Sequence, residues 1–261
     1  MSYECDATSL EGFVQHLACN LLPAGYYFYV HERVPADKDP RAVDAKLVSR
    51  YGIDISPSAR HRRKRAGLAN LHYIRFDRDF LILASYGKHL FFEKESMLDA
   101  SGHEKHIRDV RKVAIKVGGY SLRVVQGGFL RKVSPDVPPV DDVKLRVRVQ
   151  IGRERYLDLK SYLLEVATRF PLEEMSQLFS AIPFEPYAPV RLQNLNLLRW
   201  VNAARHAAGL ERVPSSVIRM KRRIVKPFEP LPHENTAYRA GCVSTETTAN
   251  GRQESSWHVT I

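Results

Sequence analysis

The sequence predicts an α+β fold, in which a mixed or antiparallel sheet with packed helices is followed by a helical C-terminal part and a disordered tail. Three observations carry that prediction. Short aromatic and β-branched runs, punctuated by glycine, proline and aspartate, fill residues 26–151 and read as strands. From Arg153 the apolar period becomes helical, with Tyr156, Leu159, Leu163, Val166 and Phe170 on one stripe. After Phe228 the chain is polar, with too few apolar anchors to offset the entropy of ordering it. The expected divisions are therefore a sheet-containing domain over 1–152, a helical part packed on it over 153–228 and a tail over 229–261.

Taken in order, the elements have local causes. Leu10, Phe13, Val14, Leu17, Ala18 and Leu21 recur at helical spacing behind Thr8 or Ser9, so a first helix is expected from Leu10 to Leu22. Gly25 releases the chain into Tyr26 to Val30, an aromatic strand. Asp39 as cap, Pro40 at the first helical position and Gly52 after Tyr51 frame a second helix. Leu71 to Phe76, Phe80 to Ser85 and Leu90 to Glu95 read as a three-stranded meander. Further strands are expected at Lys112 to Val117, Tyr120 to Gln126 and Lys144 to Ile151, broken by Gly118-Gly119, Gly127-Gly128 and the prolines around 135–139. Pro171 ends the helix after Arg153, a second helix carries Met175, Leu178 and Phe179, and a long one closes at Gly209.

Charge is the strongest functional signal. The 261 residues hold 40 Lys plus Arg against 29 Asp plus Glu, a net charge of +11, and the tail is acidic on balance, so the excess lies in the body. It is concentrated in three clusters: Arg60, His61, Arg62, Arg63, Lys64 and Arg65; Lys144, Arg146 and Arg148; and Arg219, Lys221, Arg222 and Arg223. Clustered cations suit phosphate backbones, where counterion release drives binding. An anionic membrane surface fits less well, because no long basic amphipathic helix and no lipidation signal stands in the chain. No apolar run is long enough to span a bilayer. Cys5, Cys19 and Cys242 match no zinc or haem spacing and read as fillers or free thiols in a reducing compartment. The expectation is a cytoplasmic protein, nuclear if the source is eukaryotic.

In Lys144 to Val149 strict alternation puts Lys144, Arg146 and Arg148 on one strand face and Leu145, Val147 and Val149 on the other. The arginine-rich run, in a loop or short helix, offers several planar forks to phosphate oxygens. Tyr26 to Tyr29 could supply stacking surfaces, which slightly favours single-stranded or structured nucleic acid over duplex DNA. On the long helix, Arg191, Asn194, Arg199, Asn202, Arg205 and His206 share an arc that a major groove could receive, in a helix-turn-helix-like use with the 172–181 helix.

No complete catalytic motif is present. His72 with Tyr73, or His31, could move protons in a metal-independent ribonuclease. Asp77, Asp79, Glu93 and Glu95 could approach one another across the meander and hold Mg2+, the one cofactor a nuclease reading would imply. The order of strand, helix, strands, basic strand and a helix bearing Tyr156 and Tyr162 loosely resembles the HUH-type single-strand DNA nucleases. That resemblance would imply two metal-binding histidines on a strand and nucleophilic attack by a helical tyrosine such as Tyr156. The chain contains no His-x-His pair. The reading carried forward is a basic nucleic-acid-binding protein, with a phosphodiesterase and a basic subunit of a larger protein assembly as alternatives.

Overall fold

The computed structural model describes residues 3–94, 107–126, 130–131, 138, 140–141, 144–182, 187–218 and 225–229. Ser9 caps the first helix, α1 (Leu10–His16), its hydroxyl accepting from Gly12 N at 3.0 Å. The chain then widens into a π turn, Leu17–Leu21, that keeps Leu17, Ala18 and Leu21 on the buried side. Strand β1 (Phe28–Arg33) follows, two residues later than the aromatic run suggests, because Tyr26 and Tyr27 belong to the bend after Gly25. Helix α2 (Pro40–Arg50) starts as expected, with Asp39 accepting from Arg41 N and Ala42 N. The arginine-rich run is itself a helix, α3 (Pro57–Arg65), capped by Ser56 and opened by Pro57.

Strands β2 (Leu71–Phe76) and β3 (Asp79–Ala84) form a hairpin whose turn places Asp77 at φ 54°. Leu90 to Glu95, expected as the third strand of this meander, is instead the short helix α4 (Leu90–Lys94) over its described part. The cause is topological: β1 pairs antiparallel along the free edge of β3, from Phe28 opposite Ala84 to Arg33 opposite Asp79, so no slot remains for a third strand there. His89 caps the new helix, its Nδ1 accepting from Phe91 N at 3.0 Å. With β4 (Arg108–Asp109) beside β1, the order of this four-stranded antiparallel sheet is β2-β3-β1-β4.

A second antiparallel sheet, in the order β5-β6-β9, comprises β5 (Ile115–Val117), β6 (Tyr120–Gln126) and β9 (Leu145–Ile151). Lys112 to Ala114, expected to begin a strand, forms the turn before β5, held by Lys112 N and Val113 N donating to Asp109 O. The short pair β7 (Leu130–Arg131) and β8 (Val140–Asp141) lies along the same hairpin. Phe13, Val14 and Leu17 of the first helix, Tyr29, Leu81 and Leu83 of the first sheet, and Leu122, Val124 and Val149 of the second form one core. The opposite face of the first sheet packs Val30, Tyr73, Phe80 and Ile82 against Tyr51, Ile53 and Phe91.

The helical part contains α5 (Arg153–Val166), α6 (Leu172–Ala181) and α7 (Ala188–Ala207), followed by a 3-10 turn at Ser215–Val217. It joins the second sheet through Gln193, whose side-chain amide both accepts from Ile151 N at 2.8 Å and donates to Ile151 O at 3.0 Å. Gln193 thus satisfies backbone groups at the end of edge strand β9, as a neighbouring strand would. The segment after Glu229, expected to be disordered, lies outside the described residues.

One polar cluster stands inside the second core. Asp44 of α2, 7% exposed, accepts from the Tyr73 hydroxyl at 2.5 Å and from Arg75 Nε and Nη2 at 2.9 Å and 3.0 Å. Arg75 also reaches Asp6 at 2.9 Å and the carbonyl of Asp77. Backbone bonds Arg75 N to Cys5 O and Ala7 N to Arg75 O, both 2.7 Å, fasten residues 5–7 along the edge of β2. Cys5 is a buried filler here, its thiol pushed up to about 12, first by burial and then by Asp44.

Candidate nucleic-acid interface

The second sheet has one apolar and one cationic face, and the alternation of its sequence causes both. Leu122, Val124, Val149 and Ile151 enter the core, while Arg123, Arg146 and Arg148 stand exposed. The register sets Arg123 directly opposite Arg148 and Val125 opposite Arg146. Lys144 is exposed just before β9, and Lys116 of β5 is exposed opposite Ser121. On this face Glu154 stands 3.8 Å from Lys116. Like charges directly opposite each other on a strand pair cost stability.

Arg123 joins this face to a second group of residues. Its Nε donates to Arg111 O at 3.3 Å, and the Arg111 guanidinium stands 5.1 Å from the Tyr27 ring centre and 5.2 Å from that of Tyr86. Asp109 orients Arg111 through a paired contact, with Nη2 to Oδ2 at 2.6 Å, and that bond holds the Asp109 carboxyl below its ordinary range. Tyr86 meets Phe28 edge to face at 5.0 Å and Tyr27 at 6.3 Å. Neither Arg111 nor Arg123 belongs to a conspicuous basic run. Arg123 was open to discovery by extending the alternation argument to β6, whereas the placement of Arg111 depends on long-range packing.

The helix α3 divides its cations. Arg60 donates to Leu71 O and Ile53 O, both at 2.7 Å, and so serves as a clamp between two backbone segments. Arg62, Lys64 and Arg65 are exposed and Arg63 is half-buried; the last turn of the helix, where they sit, is the end that favours positive charge. Lys88 follows closely, because its N donates to Gly67 O and its O accepts from Ala69 N, stitching the Tyr86 turn to the exit of α3. A run of contacts therefore leads from the end of α3 through Lys88, Tyr86 and Arg111 to Arg123 and Arg148. The third cluster, Arg219, Lys221, Arg222 and Arg223, lies outside the described residues.

Of the aromatic run, Tyr26 and Tyr29 are 8% and 1% exposed and belong to the core, while Tyr27 and Phe28 are half-buried at its margin. The expected groove-reading arc of α7 also divides. Arg205, 2% exposed, donates to Ala167 O, Phe170 O and Glu211 O, and Asn202 bonds both N and O of Val213. Asn194 is 2% exposed, while Arg191, Arg199 and His206 face solvent. The polar residues on this arc thus include backbone clamps of the helical core.

The catalytic candidates are dispersed. Tyr73 is 1% exposed and donates a hydrogen bond to Asp44; burial first, and then Asp44, hold its pKa well above the ordinary value. His31 is half-buried on β1, and burial lowers its pKa. Tyr156 is half-buried between two cores, with its pKa raised by burial. Glu93 lies on the helix α4 and not on a third meander strand, and Asp79 faces Arg33 at 3.7 Å, so among the described residues the meander expected to gather these carboxylates is absent; Glu95 lies outside them. Among the described residues no three His, Cys, Asp or Glu side chains are grouped as metal ligands.

His72 is fixed by Tyr3. The Tyr3 hydroxyl donates to Tyr73 O and accepts from Tyr73 N, each at 3.0 Å, so it meets His72 Nδ1, 3.2 Å away, as an acceptor of the Nδ1 proton. Burial, then Arg60 and His16, pull the His72 pKa from 6.5 to about 3. The unfolded chain binds this proton near pH 6.5 and the folded chain does not, so stability falls as pH drops from about 6.5 toward 3. His16, His31 and His89 shift the same way, each through burial. His72→Gln is expected to flatten the loss seen by urea unfolding between about pH 7 and pH 4.5; equal losses in the two proteins would refute this assignment.

The sequence matches no protein-family model, and no curated protein is significantly similar to it. The functional reading therefore rests on geometry. Among the described residues, no helix is long and apolar enough to cross a membrane.

Proposed function

We propose that this chain binds nucleic acid by its phosphates, with single-stranded or structured strands preferred over duplex DNA. The observation that carries the reading is the opposed pair Arg123 and Arg148 on the exposed face of the second sheet, extended by Arg146, Lys144 and Lys116. A fold has no reason of its own to set two arginines opposite each other, since the pairing is repulsive until an anion intervenes. A polyanion turns that repulsion into attraction, because each phosphate the arginines neutralise releases its counterions. The exposed cations of α3, Arg62, Lys64 and Arg65, extend the surface, whereas Arg60 contributes by holding the helix in place.

Filter binding with labelled single and double strands of DNA and RNA tests this. Five neutralised phosphates on a single strand lower affinity roughly 100-fold between about 50 and 200 mM salt. Binding that barely changes over that range would defeat the proposal. The phosphodiesterase alternative draws no comparable support from His72, Tyr73, His31 or Tyr156, and cleavage of the same strands with Mg2+ or EDTA would revive it.

A further inference from the structure

We infer that Tyr86 is a stacking platform for one unpaired base, which makes the phosphate-binding surface selective for single strands; this rests on the nucleic-acid reading above. Tyr86 is 57% exposed even though Arg111, Phe28 and Tyr27 all contact it, so much of the ring is open to a partner. A solvent-facing tyrosine is common, but this one is held. Ser85 N donates to Asn70 O and Asn70 N donates to Ser85 Oγ, both at 2.9 Å, and Lys88 N donates to Gly67 O at 3.0 Å. Between them Gly87 has φ 130°, and a Cβ there would lie 2.4 Å from Ala69 N, so the turn presses backbone to backbone at a site where glycine alone fits. The ring is thus positioned before any ligand arrives, which removes the ordering cost that usually weakens stacking on a flexible side chain.

Its surroundings indicate what would stack. The Arg111 guanidinium lies over the ring, 5.2 Å from its centre and held by Asp109, so it backs the tyrosine as a cation and leaves the exposed part of the ring for a base. On the α3 side are Lys88 and the exposed Lys64 and Arg65; beyond Arg111 are Arg123 and Arg148. Cations on both sides of an aromatic ring match the alternation of phosphate and base along a single strand. In a duplex the bases are stacked inward and the platform has nothing to engage.

The test compares wild type, Tyr86→Ala and Tyr86→Phe, as full chains, on oligothymidylate and on a duplex of equal length, across a salt series. The expected result is a roughly tenfold or greater loss of single-strand affinity in Tyr86→Ala, retention in Tyr86→Phe, unchanged duplex affinity and an unchanged salt slope. Salt-dependent binding by wild type that Tyr86→Ala leaves intact, or weakens equally on both ligands, would overturn the stacking role alone. If wild type shows no salt-dependent binding to any strand, the phosphate-binding reading falls, and this inference with it.

Discussion

Asp44→Ala is expected to lower unfolding stability by about 3–5 kcal/mol, the range for removing one member of a buried ion pair. Asp44 and Arg75 have side chains 9% and 5% exposed. Alanine would leave the guanidinium with Asp6, whose side chain is 54% exposed, and the carbonyl of Asp77, and would strip the Tyr73 hydroxyl of its acceptor. The loss is a large share of the roughly 5–15 kcal/mol typical of a domain. It is local in origin: α2 would lose its polar anchor to β2, and the segment at residues 5–7, held through Arg75, would loosen with it. Urea unfolding of the single variants and of Asp44→Leu with Arg75→Met separates the two components of the effect. The apolar pair is expected to recover only part of the loss: replacing a buried ion pair by apolar side chains is often neutral, but the Tyr73 hydroxyl still lacks its acceptor. A loss under about 1 kcal/mol in Asp44→Ala would show that water reaches this cluster and that it contributes no more than a surface pair.

Neither partner stood out in the sequence, and the reason is physical. Asp44 has the pattern of an exposed helix position, and its partners Tyr73 and Arg75 lie on a strand 29 and 31 residues away. What was legible was set by neighbours along the chain: the caps at Ser9 and Asp39, Pro40 at a helix start, and the change of period at Arg153. What was not legible depended on distant competition. Leu90 to Glu95 has the composition of a strand, but β1 already holds the edge of β3 it would need. The same limit governs the candidate site. The two-residue period of Lys144 to Val149 revealed its cationic face, because alternation is a local property. Arg205 and Asn202 resembled groove-reading residues because a surface arginine and one that clamps three carbonyls look alike until the third dimension is known. Arg60 was misleading for the same reason, standing inside the most basic run while spending its donors on the backbone.

The double substitution Arg123→Gln with Arg148→Gln is expected to move binding and stability in opposite directions. Both side chains are exposed on neighbouring strands at the same register, so the proposed function has them share a phosphate or hold adjacent ones. Removing two charge-assisted contacts is expected to weaken nucleic-acid binding on the order of 100-fold at low salt. The slope of log affinity against log salt should become shallower by about 1.4 on single strands and about 1.8 on duplex DNA, which is two phosphates in either case. The folded protein should meanwhile gain a few tenths of a kcal/mol in urea unfolding, because the opposed like charges are gone. A merely structural role for the pair predicts the reverse, with stability falling and the salt slope unaltered. A solvated surface with no partner predicts the stability gain without any change in binding. The binding loss, the altered slope and the stability gain together distinguish a surface kept repulsive for an anionic ligand from one that is simply basic, and an unchanged salt slope would remove Arg123 and Arg148 from the interface.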